Sequence, residues 1–317
     1  PRRLHGGQNR VHHAHRVACP DGKRRLMRSY AFKQVDVFAG AGLRGNPAGV
    51  VIDADDLSDE QMQRVANWMN LSETTFICEP TRNSGADYLL RIFTPQQELP
   101  FAGHPTVGSA HAYLEHGGAR LDPDVLRMEC GAGVLTIRSE GEGESRLIFT
   151  ETPEAKLVHE HENSAGVIAA ALGVEIGDDH PPASVSNGPT WTFVYLPETA
   201  MISAMKPDMA ALSRLSEEHG LTGLAVFALT GGDPAVRIRC FAPFFGVPED
   251  PVTGSANASL PTYLARYGLL DRTGRSYTAS QGLELGRDGR VHVRVRDDDR
   301  VEIGGQAITV VEGEIRL

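Results

Sequence analysis

Three ionisable residues stand where a polypeptide could put proton-transfer chemistry. His104 and Asp250 each precede a proline, in Gly103-His104-Pro105 and Glu249-Asp250-Pro251, and each is followed by an apolar stretch of helical character. Asp is a good helix N-cap, and proline suits the first helical position, where its missing N–H costs nothing. Both motifs therefore read as loop-to-helix starts, whose free N–H groups attract anions, with Ser109 and Ser255 each adding a hydroxyl. Two such starts facing one cleft make a pocket for a carboxylate-bearing small molecule. An imidazole and a carboxyl on opposite walls suit proton removal at one face and delivery at the other. The third residue, Glu73, lies in Asn70-Leu71-Ser72-Glu73-Thr74-Thr75-Phe76, between a helical stripe and a strand. That position can aim a carboxyl into a cleft, or it can be a surface turn. An Asp-Pro pair can equally be a cap and nothing more.

The elements that must hold these residues repeat. Arg91-Ile92-Phe93-Thr94-Pro95 and Arg239-Cys240-Phe241-Ala242-Pro243 share the pattern R-x-F-x-P. Each precedes x-[H/D]-P-x-x-G-S-A, with offsets of 148 residues at the first proline and 146 at the second. Helical stretches follow at Ala110–Gly117 and Ala256–Gly268. Asn46-Pro47 has a counterpart in Asn187-Gly188-Pro189. A single repeat this long means two similar domains rather than a solenoid, and ligand sites favour such interfaces. Phe32–Phe38, Ala48–Ile52, Thr74–Cys78, Tyr88–Phe93 and Trp191–Leu196 read as strands. Ser58 caps a helix with Met62, Val65, Ala66 and Met69 inward, and Trp68 is expected to pack nearby.

Composition narrows the classes. The 317 residues carry a net charge of −10, the wrong sign for a nucleic-acid binder, and no apolar run is long enough to span a bilayer. Residues 1–26 hold seven Lys/Arg, four His and one Asp, leaving −16 for the rest, and read as a basic leader or tag outside the fold. The four cysteines, Cys19, Cys78, Cys130 and Cys240, show no metal or disulfide spacing, as expected of reduced thiols in a cytoplasmic protein.

The motifs together resemble a known family. Phe32-x-x-Val35-Asp36-Val37-Phe38, Gly45-Asn46-Pro47-Ala48-Gly49-Val50, the Glu73 segment, Phe93-Thr94-Pro95 through Glu98-Leu99-Pro100-Phe101-Ala102-Gly103-His104-Pro105-Thr106, and Glu249-Asp250-Pro251-Val252-Thr253-Gly254-Ser255-Ala256 are similar to the PhzF family of phenazine-biosynthesis-type isomerases. The likeness runs from Met27 to the C-terminus and includes Gln281-Gly282 and Gly286-Arg287. It implies an α+β, diaminopimelate-epimerase-like fold: two pseudo-symmetric domains, each a mixed curled sheet around a central helix, with the active site in the cleft between them. The expected limits are 27–140, joined by the C-terminal strand 301–317, and 141–300. By resemblance Glu73 is the acid/base residue, and His104 and Asp250 move or position protons. Ser72, Gly103, Gly254 and Ser255 then hold the substrate, the last two near its carboxylate. The implied reaction is that of a trans-2,3-dihydro-3-hydroxyanthranilate isomerase, run by a homodimer without metal or organic cofactor. Thiol-dependent racemases of this fold carry cysteines at the paired helix starts, where this chain has His104 and Asp250. An epimerase working by carboxylate and imidazole, and a non-catalytic metabolite-binding protein, remain the other two readings.

Overall fold

The computed structural model describes residues 15–17, 25–122 and 125–317. Most of the basic leader, Cys19 included, lies outside the described residues. Among the described residues, β1 (His15–Val17) and β2 (Arg25–Met27) pair with each other, apart from the main sheet.

The first half runs β3 (Ser29–Val37), β4 (Asn46–Ile52), α1 (Asp59–Met69), β5 (Glu73–Cys78), β6 (Tyr88–Phe93), β7 (Glu98–Leu99), α2 (Gly103–Glu115), β8 (Val125–Cys130), β9 (Gly133–Glu140) and β10 (Leu147–Glu151). The second runs β11 (Lys156–Glu160), α3 (Ala165–Leu172), β12 (Ala183–Ser186), β13 (Thr190–Tyr195), α4 (Thr199–Ala204), α5 (Met209–His219), β14 (Gly223–Leu229), β15 (Val236–Ala242), β16 (Val247–Asp250) and α6 (Gly254–Arg266), then β17 (Ser276–Gln281), β18 (Gly289–Val295) and β19 (Val301–Gly305). The last strand is β20 (Ala307–Arg316).

The two halves share one pairing plan. From β3 to β10 the neighbours are antiparallel (β3–β4), parallel (β4–β5), antiparallel (β5–β6), parallel (β6–β8), then antiparallel through β9 to β10. From β12 to β19 the order β12–β13, β13–β14, β14–β15, β15–β17, β17–β18 and β18–β19 repeats that alternation. Outer strands complete the plan, β20 on β3 and β11 on β12, both antiparallel. The halves join where β10 and β19 pair, with Thr150 opposite Ile303. The C-terminal strand thus returns to the first strand of the first half.

Each sheet curls around a buried helix. Every residue of α2 from Gly103 to Ala112 is buried, and α6 buries Gly254 and the run Ala256–Pro261. Helices this enclosed carry no solvent-facing polar stripe, and polar side chains such as His104, Ser109 and Asn257 are buried with the rest. One continuous core runs through both halves, from Val35 and Val107 to Leu260 and Tyr263. Two outer cores lie beneath the crossover helices, α1 over Val51, Phe76 and Phe93, and α5 over Val194, Leu224 and Phe241.

Two expectations are corrected here. Met62, Val65 and Ala66 of α1 face inward, but Trp68 is 78% exposed. At 100° per residue it stands on the solvent side of the stripe, so it is not a packing residue. The repeat, moreover, has a different register. Ile92 pairs with Leu99 where Cys240 pairs with Asp250, and both central helices are 13 residues long, starting at Gly103 and Gly254. After R-x-F-x-P the offset therefore becomes 151, three longer than 148, not two shorter. Arg91 forks onto Glu98 and Arg239 onto Glu249 with the same two-bond geometry, fixing the match. His104 is consequently the counterpart of Ser255, and Asp250 the counterpart of Leu99.

Candidate active site

The site is assembled from element ends. Helix α1 starts at the expected cap, Ser58, which proves to be half of a capping box: its hydroxyl accepts from the Gln61 amide while Gln61 Oε1 accepts from the Ser58 amide. It stops at Asn70, in the left-handed region at φ 53°, a conformation asparagine tolerates better than most residues. The chain turns there and delivers Ser72, half-buried, and Glu73, the first residue of β5. His104 comes from α2, but as its second residue rather than from the preceding loop. Pro105 follows within the first turn, where an absent N–H is tolerated. Asp250 does not cap α6 either: it ends β16, and Thr253 holds the cap position.

The two central helices meet nose to nose. A Cβ on Gly103 would lie 2.9 Å from Ile303 Cδ1 and 3.7 Å from Gly254 Cα. One on Gly254 would lie 3.2 Å from the same methyl and 3.3 Å from the His104 backbone nitrogen. Glycines allow this approach without a shift of Ile303 or of the His104 backbone. The positions before the helices, Ala102 and Thr253, make no side-chain cap bond, so the first-turn N–H groups of both helices converge without capping side chains. Converging helix N-termini favour an anion.

Beside that junction Glu73 Oε2 and His104 Nε2 stand 3.1 Å apart, with side-chain exposures of 15% and 8%. Both atoms are buried, and their alignment gives neither a hydrogen bond. Burial, reinforced by the negative charge of Asp250, pushes the Glu73 carboxyl up to about 8. Burial alone pulls the His104 imidazole down to about 3. At neutral pH the pair is thus an uncharged acid beside an uncharged imidazole. Asp250 is pushed up by burial to about 6, against the downward pull of hydrogen bonds from Thr253 and Asn46. It stays mostly ionised at neutral pH. Two carboxyls with different proton occupancy on facing walls are what acid–base chemistry requires.

Glu73, Gly103, His104, Asp250 and Gly254 are therefore brought together. Ser255 is next in the chain, and its hydroxyl accepts from the Trp191 indole at 2.9 Å. Ser109, expected at a helix start, lies inside α2, hydrogen-bonded to Thr75 at 2.8 Å. Four residues given no role in the sequence reading belong to the site's frame: Asn46, Thr253, Gln281 and Ile303. Asn46, Thr253 and Gln281 stand inside quoted motifs, yet nothing local to Asn46 marks its contact with Asp250, 204 residues away, nor to Gln281 its contacts with Asp250 and Thr253. Glu73's counterpart at the start of β14 is Gly223, so the fold is paired but the chemistry is one-sided. Cys78, Cys130 and Cys240 are buried free thiols. Among the described residues no group of three or more His, Cys, Asp or Glu is placed to hold a metal ion, and no helix is long and apolar enough to cross a membrane.

Comparison with known proteins follows this geometry. A model of the PhzC-PhzF family, phenazine biosynthesis-like protein, matches residues 35–313. A trans-2,3-dihydro-3-hydroxyanthranilate isomerase of Pseudomonas chlororaphis is 41% identical over 295 residues, 89% of this chain and 98% of that protein. A Schizosaccharomyces pombe protein named antisense-enhancing sequence 1 is 37% identical over 296 residues, 91% and 99%. The crystal structure of a Bacillus anthracis PhzF-family phenazine biosynthesis protein superposes with TM-score 0.79 at 28% identity, covering 91% of this chain and 99% of that one. A probable proline racemase of Agrobacterium radiobacter K84 shares the fold alone, with TM-score 0.62 at 13% identity, over 90% and 92%.

Proposed function

The chain belongs to the phenazine biosynthesis-like PhzF family and is an isomerase, and from that premise we propose that it moves a proton between carbons of a small carboxylated ring. The substrate is of the trans-2,3-dihydro-3-hydroxyanthranilate type, which offers a carboxylate, an amine and a hydroxyl, and no metal or organic cofactor takes part. The observation that carries this reading is the buried Glu73–His104 pair, whose facing atoms lack hydrogen bonds beside two uncapped helix N-termini.

The substrate carboxylate occupies the junction of α2 and α6, held by first-turn N–H groups near Gly103, Gly254 and Ser255, with Ser72, the neighbour of Glu73, as a further contact. This places negative charge where the helix ends stabilise it. Glu73, in the ionised fraction that a carboxyl titrating near 8 still has at neutral pH, takes a proton from one ring carbon and returns it to another. A carboxyl that titrates near 8 is a strong enough base to remove that proton and a ready acid to give it back. Neutral His104 offers Nε2 to the substrate's polar substituents, and ionised Asp250 accepts from its amine or hydroxyl. A homodimer in the cytoplasm completes the reading, on the family resemblance. Light scattering that returned 34.3 kDa rather than twice that would remove the dimer.

Proton exchange in D₂O, followed by NMR, tests the chemistry. Wild type is expected to isomerise trans-2,3-dihydro-3-hydroxyanthranilate with deuterium incorporation. Glu73→Gln should bind the compound and lose exchange by a hundredfold or more, in line with the roughly 10²–10⁴ that general acid–base groups supply. Deuterium entry at one carbon with inversion and no shift of the double bonds would make the protein an epimerase. Binding with no exchange in wild type would make it a binding protein.

A further inference from the structure

Asp250 is oriented more completely than a wall residue needs to be. Its Oδ1 accepts from Asn46 Nδ2 at 3.0 Å and its Oδ2 from Thr253 Oγ1 at 2.6 Å. The two donors come from opposite halves, Asn46 at the start of β4 and Thr253 at the cap of α6. Neither donor is free to turn away. The second hydrogen of Asn46 Nδ2 goes to the Val252 carbonyl at 2.9 Å. Thr253 Oγ1 accepts from Gln281 Nε2 at 2.9 Å, which commits its own proton to Asp250. Gln281 is held in turn by the Thr253 amide and Asn257 on its Oε1, and its Nε2 also reaches the Asp250 carbonyl. Asn46, Thr253, Asn257 and Gln281 are all buried. A buried carboxyl that receives a directed hydrogen on each oxygen is favoured as the anion.

The groups facing this pair leave Asp250 as the charge that Glu73 senses. Glu73 meets the His104 imidazole from α2, kept neutral by burial, and Asp250 from β16. Asp250 lies opposite Cys240 of β15, whose buried thiol is pushed well up and stays protonated. The adjoining Glu249 carboxylate is already bound by Arg239.

We propose that Asn46 and Thr253 are the positioning residues of this site: by each holding one oxygen of Asp250 they keep that carboxylate charged, and its charge adds to burial in keeping the proton on Glu73. The inference rests on Glu73 being the acid/base group. Half of the device belongs to the other half of the molecule from Asp250, so the proton on Glu73 depends on the halves being together.

Carboxyl titration tests it without turnover. In protein labelled with [5-¹³C]glutamate, the Glu73 resonance is identified by its loss in Glu73→Gln and followed against pH. The wild-type midpoint is expected near 8. Asp250→Asn should lower it while leaving it above 4.5, since burial is the larger cause of the rise. Asn46→Leu and Thr253→Val each remove one hydrogen bond to a charged group, raising Asp250 by roughly one unit. Their Glu73 curves should move downward and broaden as the proton divides between two carboxyls. Thr253→Ser, which keeps the hydroxyl, should restore the wild-type curve. Thr253→Val leaves the Asn46 link intact, so it stands if Asn46→Leu does not fold. Wild-type curves in both donor variants beside a shifted Asp250→Asn would overturn the proposal, and so would an unshifted Asp250→Asn. If trans-2,3-dihydro-3-hydroxyanthranilate is not turned over yet the curves shift, the coupling holds and only the substrate assignment falls.

Discussion

Burial and the facing Asp250 charge push Glu73 the same way, while burial pushes His104 the opposite way, and folding stability must register both. Glu73 rises from 4.5 to about 8, so between those values the folded protein keeps a proton the unfolded chain has lost. Stability attributable to Glu73 therefore falls as pH rises across that window, by at most about 1.4 kcal/mol per unit. His104 drops from 6.5 to about 3, so its share rises with pH across that range. Between 4.5 and 6.5 His104 opposes Glu73, which Asp250, raised from 3.8 to about 6, reinforces over its own window; above 6.5 Glu73 is the one of the three still acting. Glu73→Gln should thus gain stability over wild type progressively from pH 5 to pH 8, measured by denaturant unfolding at each pH. A constant difference would mean that Glu73 ionises in the folded protein as it does in the unfolded chain. The residue types at this site were readable because Glu73, His104 and Asp250 stand in long ordered motifs. Their charge states were not, since these depend on burial and on partners as remote as Asn46 and Asp250, 204 residues apart.

At the scale of elements, the repeat was legible and its register was not. The matching H-P and D-P pairs and the shared G-S-A drew the alignment to 146, although those residues play unlike parts, His104 inside α2 and Asp250 at the end of β16. The register follows from cross-strand pairing, Ile92 to Leu99 and Cys240 to Asp250, which sequence does not display. A better signal was present in Glu98-x-Pro100-x-x-Gly103 and Glu249-x-Pro251-x-x-Gly254, where both the forked glutamate and the helix-starting glycine recur. Those glycines set how closely α2 and α6 approach, and their neighbours differ. Gly103→Ala meets chiefly the Ile303 Cδ1 methyl, at 2.9 Å, whereas Gly254→Ala also meets the His104 backbone nitrogen at 3.3 Å. Each alanine should weaken carboxylate binding about tenfold, the scale of a clash of roughly 1–2 kcal/mol. Ile303→Val removes the methyl, so Gly103→Ala/Ile303→Val should recover most of the affinity and Gly254→Ala/Ile303→Val only part of it. Calorimetric titration of the four variants measures this, and equal recovery in both would place the obstruction at Ile303 alone.

At the scale of the whole molecule, two halves with one plan provide an internal comparison of the same interaction in two surroundings. Arg91–Glu98 and Arg239–Glu249 are equivalent two-bond forks on equivalent strands. The first lies at the surface, with side chains 22% and 41% exposed, and Arg91 has a further partner in Asp59. The second is enclosed, at 7% and 9%, and Arg239 Nη1 also donates to the Ile202 carbonyl of α4 at 3.0 Å. Water supports either charge of the exposed fork once its partner is gone, so Glu98→Gln should cost at most about 1 kcal/mol. Glu249→Gln leaves the Arg239 guanidinium buried, with Glu284 no nearer than 3.8 Å from its Nε, and should cost roughly 3–5 kcal/mol. Glu249 adjoins Asp250, so the costlier variant should also disturb the site, whereas Glu98→Gln should leave ligand binding as it was. Denaturant unfolding of the two variants decides the point. Equal costs would mean that the enclosed fork is hydrated in solution, and that the two halves of the molecule differ less in their interiors than their burial implies.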